Sequence, residues 1–244
     1  MYRRLEGARI IETLERLERR IGERFPGSGL GRVSGELLAV ANESLARAAY
    51  LARPNRSLRI GTWASIAVIV YIGVQALLHL NLAMRWKDFA GFLQSSQAIQ
   101  NVVFLGVAVL FLANVETRIK RRRALSAIHE LRSIAHIVDM HQLTKDPDQF
   151  LAGSAATGSS PHRAMTRFEL SRYLDYCTEL LSLTGKVATL YVQDFQDPVV
   201  LDAVNDIENL TTGLSRKIWQ KIMILDALKT SDVGYETRDQ RSHA

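Results

Sequence analysis

IGTWASIAVIVYIGVQALLHLNL, residues 60–82, decides how the rest of the chain is read, because its 23 residues include no charged side chain. As a helix it would be about 34 Å long, against a bilayer hydrocarbon core of about 30 Å. A buried helix of a soluble core needs about half as many apolar residues and normally keeps a polar face. This run has no such face, so it is expected to span a membrane. Further along, AIQNVVFLGVAVLFLANV at residues 98–115 is shorter, at 18 residues, and opens near Gln100 and Asn101. Its first turn is expected at headgroup level, with the remainder forming a second span.

Charge orients the pair. The 244 residues carry a net charge of +6, divided as +5 before the first run, +1 between the runs and zero after the second. Arg53, Arg56 and Arg59 precede the first run, while Arg118, Lys120, Arg121, Arg122 and Arg123 follow the second. Only Arg85 and Lys87 lie between them. Basic residues favour the cytoplasmic side, so both termini are expected there, with the loop 83–97 outside, as in a bacterial inner membrane or its equivalent. The eight flanking cations are read as anchors to anionic lipid headgroups. The run RIKRRR at 118–123 could also neutralise nucleic-acid phosphates. Directly after a span, however, lipid is the expected partner and nucleic acid is not.

Residues 1–25 are charged throughout and lack the apolar stretch of a cleavable signal, so the N-terminus is expected to stay attached. A single cysteine, Cys177, excludes an intramolecular disulfide and a thiolate zinc cluster within one chain.

Outside the two runs the patterning is helical. Leu5, Ile10, Ile11, Leu14, Leu17 and Ile21 are spaced by a helical turn, predicting an amphipathic helix over 3–24 with Glu12 and Arg16 paired at i,i+4. PGSGLGRVSG at 26–35 reads as a hinge, after which Ser34 is expected to cap a helix reaching Ala52, with Pro54 breaking the chain. No glycine or proline occurs between Val107 and Pro147, so one helix is expected to run from the bilayer through a stalk about 60 Å long. Ser160 and Pro161 are read as the start of a helix to Val192, with apolar positions Met165, Phe168, Leu174, Leu181, Val187 and Leu190. Asp197 and Pro198 repeat that signal for a helix over 198–229, with Leu201, Val204, Leu214, Ile218, Met223 and Leu225 forming a bundle or coiled-coil seam.

The expected fold is therefore an all-α integral membrane protein: a two-helix transmembrane hairpin whose long helices extend into a cytoplasmic helical bundle. Its parts are amphipathic helices over 1–56, the hairpin over 57–117, the stalk and bundle over 118–230, and a flexible tail over 231–244.

HELRSIAHIVDMHQLTKDPD, residues 129–148, holds three of the six histidines. On a helix, Ile128, Leu131, Ile134, Ala135 and Val138 form one stripe, with His129, Arg132, His136 and Asp139 opposite and His141 turned toward the apolar side. His129 and His136 are about 10 Å apart along the axis, too far to share one metal. His136 with Asp139 could supply two ligands, but Arg132 opposes a cation and nothing nominates a third. HELRS has Ser133 where a zinc-protease signature needs its second histidine. GSAATGSS, within 153–160, lacks the lysine of a phosphate loop. Cys177 reads as core packing. No metal, no cofactor and no enzymatic role is expected.

Within the first run, Gln75 and His79 lie one turn apart on one face, and polar groups in hydrocarbon turn toward protein or water. Gly61 and Ser65 form a small-residue pair suited to close helix contact. Two spans cannot enclose a path, so conduction needs an oligomer. The leading expectation is a homo-oligomeric membrane protein, a channel or gated effector with Gln75 and His79 near the pathway. The alternative is a membrane-anchored scaffold or signalling adaptor that binds a cytoplasmic protein through its bundle. The loop AMRWKDFAGFLQSSQ, residues 83–97, has no potassium-filter motif.

Overall fold

The computed structural model describes the backbone of residues 4–79, 96–150 and 165–242, and their side chains except at 58, 76–79, 96–102, 148–149 and 229–242. Among these residues there are seven α-helices and no strands: α1 (Gly7–Arg24), α2 (Gly29–Ala52), α3 (Arg56–His79), α4 (Ser96–Ala113), α5 (Val115–Leu143), α6 (Arg167–Thr189) and α7 (Pro198–Ser242). A 3-10 turn, Pro147–Phe150, follows α5. The chain divides into two compact units, Arg53–Arg123 and the remainder.

The larger unit is built around α6. Leu170, Tyr173, Leu174, Tyr176, Cys177, Leu180, Leu181, Val187 and Ala188 are all buried. These positions form one broad face of the helix, wide enough to meet more than one neighbour, with Ser182 and Lys186 exposed on the other side. Helices α1, α2 and α7 lie against it. Helix α1 contributes Ile10, Leu14, Leu17 and Ile21, four of the six positions expected from its spacing. Helix α7 contributes Val200, Val204, Ile207, Thr211, Leu214, Ile218, Ile222 and Leu225. These are spaced by three or four residues, which keeps one seam on one side of a helix. The expected seam members Leu201 and Met223 lie on the exposed face instead, each one position away from a buried residue. Helix α5 adds Ala124, Ala127, Ile128, Leu131, Ile134, Ala135 and Val138, the stripe read from the sequence. Each fully buried leucine contributes about 1.5–3 kcal/mol of transfer free energy, so these stripes hold the bundle together.

Polar contacts fix the helix ends. Lys221 Nζ donates to the carbonyls of Gln142 and Lys145, each at 3.1 Å, placing a cation on the unsatisfied end of α5. Arg47 pairs with Glu130 at 2.8 Å, and Arg132 with Asp206 at 3.3 Å. Asp197 Oδ1 accepts from the backbone N–H groups of Val199 and Val200, so the Asp-Pro cap of α7 is as the sequence indicates.

Several boundaries differ from the sequence reading. Helix α2 starts at Gly29, not after Ser34; the capping oxygen is Ser28 Oγ, which accepts from Gly31 N–H at 3.1 Å. Ser34 is buried within the helix and donates to the Gly31 carbonyl. The hinge shrinks to a turn in which Gly27 takes φ +71°, a conformation that favours glycine. At the first helical position a small residue is required, because a β-carbon at Gly29 would collide with the His141 imidazole.

The expected unbroken helix is interrupted at Asn114, whose Nδ2 donates to the Leu110 carbonyl and so occupies an acceptor of the backbone ladder. The expected helix start at Ser160 and Pro161 lies outside the described residues. The helix that follows begins after Thr166, whose hydroxyl and backbone N–H form a reciprocal capping box with Glu169. Phe168 is therefore on an exposed first turn. Helix α7 continues to Ser242, beyond the expected end near residue 229.

Candidate functional sites: the apolar hairpin and its basic collar

The smaller unit has a different distribution of apolar side chains. Helices α3 and α4 pack on one another, and Gly73 faces α4, with the position of a β-carbon in ordinary contact with Leu105 Cδ2 at 3.6 Å. A β-carbon at Gly61, expected to mediate close contact, would meet nothing within 4 Å among the described residues, and Ser65 is exposed. Around this contact the large side chains point outward. Ile60 and Phe104 are each 70 % exposed, Tyr71 is 64 % exposed, and Trp63, Val68, Ile72, Val107 and Leu110 are similarly open.

Counted over the described residues, no helix is long and apolar enough to cross a membrane. The described side chains of α3 reach only Gln75, and those of α4 begin at Val103, each short of the about 20 apolar residues that a span requires.

The polar pair expected within this hairpin is half visible. Gln75 is partly buried and its Nε2 donates to the Tyr71 hydroxyl at 3.1 Å, one turn earlier on the same helix. His79 is the last residue of α3, and its side chain lies outside the described residues.

At the other end of the hairpin the collar cations differ in what they touch. Arg53, Arg56, Arg59, Arg118, Arg122 and Arg123 are exposed and Arg121 is partly so. The Arg118 guanidinium stacks over Phe111 at 4.7 Å. Lys120 is only 8 % exposed. Its Nζ donates to the Arg53 carbonyl at 2.7 Å and meets the Glu116 carboxylate at 3.0 Å. Glu116 in turn accepts the Asn55 backbone N–H at 2.9 Å. That N–H, with the Lys120 ammonium and the Arg59 charge, holds the Glu116 carboxyl below its usual range despite partial burial. The lipid-anchor reading of Lys120 is thus corrected, because its ammonium is occupied inside the protein. Sequence spacing marks the Glu116–Lys120 pair as i,i+4, but its backbone partners come from a segment more than sixty residues earlier.

In the larger unit His136 is exposed, and Asp139 accepts from Gln142 Nε2 at 2.7 Å. Among the described residues, no group of three or more His, Cys, Asp or Glu side chains converges on a common point. His141 is partly buried; burial first, then Arg32 and Lys145, lowers its pKa. Cys177 lies fully buried, and burial pushes its thiol up to about 12, far from a reactive thiolate.

Two clefts open on the bundle, and neither was legible in the sequence, because residues far apart in the chain line each one. One, of about 590 Å³, lies among α1, α6 and α7 and includes Thr13, Thr178, Ser182, Lys186 and Thr211. Thr13, Thr178 and Thr211 donate to carbonyls of their own helices, while Ser182 Oγ accepts from Lys186 Nζ at 2.6 Å. The other, of about 410 Å³, gathers Arg20, Arg24 and Arg172 around Tyr176. Arg20 is paired with Glu179 and Arg172 with Asp175.

No known protein family, curated protein or solved structure matches the chain.

Proposed function

We propose that this chain is a two-span membrane protein that holds a helical bundle at the cytoplasmic face, and that the bundle acts by associating with protein, either further copies of itself or a cytoplasmic partner. The supporting observation is the outward apolar surface of α3 and α4, with Ile60, Trp63, Tyr71, Phe104 and Leu110 exposed. Apolar patches of this kind on a protein in water mark an interface. Here the sequence continues them into uncharged runs of membrane-spanning length with eight flanking cations on one side against Arg85 and Lys87 on the other, which fits lipid with the basic side in the cytoplasm. Anionic headgroups are the partners of the exposed collar arginines.

A channel formed by several copies is the second reading. It is favoured by the Tyr71–Gln75 pair, a polar ledge on an otherwise apolar helix that His79 extends by one more turn in the sequence. In hydrocarbon such a ledge turns toward a neighbouring subunit or water.

Washing membranes from expressing cells with alkaline carbonate tests the anchor: the chain is expected in the pellet, and its release would overturn the reading. Light scattering in mild detergent, corrected for bound detergent, separates the two mechanisms. A monomer or dimer supports the anchored bundle, whereas a ring of four or more subunits, with flux in liposomes altered by Gln75→Leu, supports the channel.

A further inference from the structure

The collar carries more than a lipid contact. Pro54 interrupts the chain between α2 and α3 and has no N–H of its own. The polar groups on either side of it, the Arg53 carbonyl and the Asn55 N–H, are both taken by one pair of side chains one turn apart on α5. Their charges suit the positions. The Arg53 carbonyl lies just past the last residue of α2 and receives a cation, while the Asn55 N–H lies just before the first residue of α3 and is received by an anion. Helix termini favour that arrangement. A lysine this buried needs its charge matched and its donors satisfied, and it obtains both here: Glu116 supplies the charge, and Glu116 and Arg53 supply acceptors.

We propose that Lys120 and Glu116 form a latch that ties the segment leading into α3 to the helix that follows α4, so that the two legs of the hairpin move as one body until the latch opens. As the regulatory element of a membrane hairpin it rests on the reading above. As a contact within Arg53–Arg123 it can be tested separately. The latch depends on backbone partners, which distinguishes it from an ordinary i,i+4 ion pair. Exchanging the two charges, E116K with K120E, keeps the pair but leaves residue 120 unable to donate to the Arg53 carbonyl and residue 116 unable to accept the Asn55 N–H.

Hydrogen exchange at the Asn55 amide of the full chain in liposomes reads the latch directly. The wild-type amide is expected to be protected, K120R to retain protection, and both K120M and the charge exchange to speed exchange at least tenfold. Slow exchange of the α6 core, Leu170–Ala188, in the same samples reports an intact bundle. A wild-type Asn55 amide exchanging at open-chain rates would overturn the latch whatever the variants do. So would a charge exchange that protects it as well as the wild type does. Carbonate washing of the same liposomes keeps the two ideas apart: a chain that washes off with Asn55 still protected loses the membrane reading and keeps the latch.

Discussion

The two compact units of this protein use apolar side chains in opposite directions. In the larger one, Leu14, Leu131, Leu174, Leu181 and Ile218 point inward and are closed off from solvent. In the smaller one, Ile60, Val68, Ile72, Phe104 and Leu110 point outward around a thin contact between two helices. A bundle in water is held together by removing apolar surface from water. A helix pair in lipid gains nothing from hiding that surface, because the surrounding tails are equally apolar, and it associates through close packing and polar contacts instead. Under the membrane reading proposed above, the contrast reflects two solvents acting on one chain, with the small-residue contact at Gly73 and the polar clasp at Glu116 and Lys120 joining the hairpin.

The strongest way to break the comparison is to cut a core residue in one unit and watch the other. Leu174→Ala empties a fully buried position on the central helix and is expected to cost about 2–5 kcal/mol. Denaturation in detergent should fall by that amount, while carbonate resistance stays unchanged; equal losses of both would mean that the units do not fold on separate principles. The reciprocal substitution is Val70→Arg, on the open face of α3. A centrally placed arginine costs about 2.5–3.5 kcal/mol on insertion, so membrane recovery should drop with no change in the bundle's melting. Retained membrane association would remove the outward apolar face as the basis of anchoring.

Smaller effects sharpen the picture within the bundle. Asp197→Ala removes the acceptor of two N–H groups at the start of α7 and should lower stability by about 0.5–2 kcal/mol. Asp197→Ser, which can still accept, should recover most of that loss.

The smallest effect is a dependence on pH. His141 binds its proton less well folded than unfolded, chiefly through burial and then through Arg32 and Lys145. The unfolded chain therefore takes up the proton first, and stability present above the ordinary histidine value of 6.5 declines as pH falls through and below it. Urea midpoints at pH 7.5 and pH 5.5 should differ more for the wild type than for His141→Gln. An identical difference would assign the acid sensitivity to other groups.

How much of this was legible in the sequence varies by element. The stripe of α5, Ile128 to Val138, followed from spacing alone, because a helical period of 3.6 fixes which residues share a face. The Asp-Pro cap of α7 was equally plain. The start of α2 was not. Ser28 and Ser34 are both capable caps, and the structure uses the earlier one, with Gly29 beside the His141 imidazole leaving no room for a β-carbon. Leu201 and Met223 resembled seam positions, since one-residue errors in phase are invisible when a helix has apolar residues on both sides of its stripe. Lys120 in RIKRRR carried only its i,i+4 spacing to Glu116, and nothing local marked the Arg53 carbonyl as its second partner.

The sequence by itself determined that the chain is helical throughout its described parts, that its apolar residues fall into stripes in some segments and unbroken runs in others, and that basic residues crowd the start of the first run and the end of the second. These are properties of periodicity and composition, and they need no knowledge of what touches what. The tertiary structure alone decided that α6 is the central helix, and that one lysine of the collar is an internal clasp while nearby arginines stay open to their surroundings. Each of those outcomes depends on a partner dozens of residues away, and a contact between distant segments leaves no mark in local spacing.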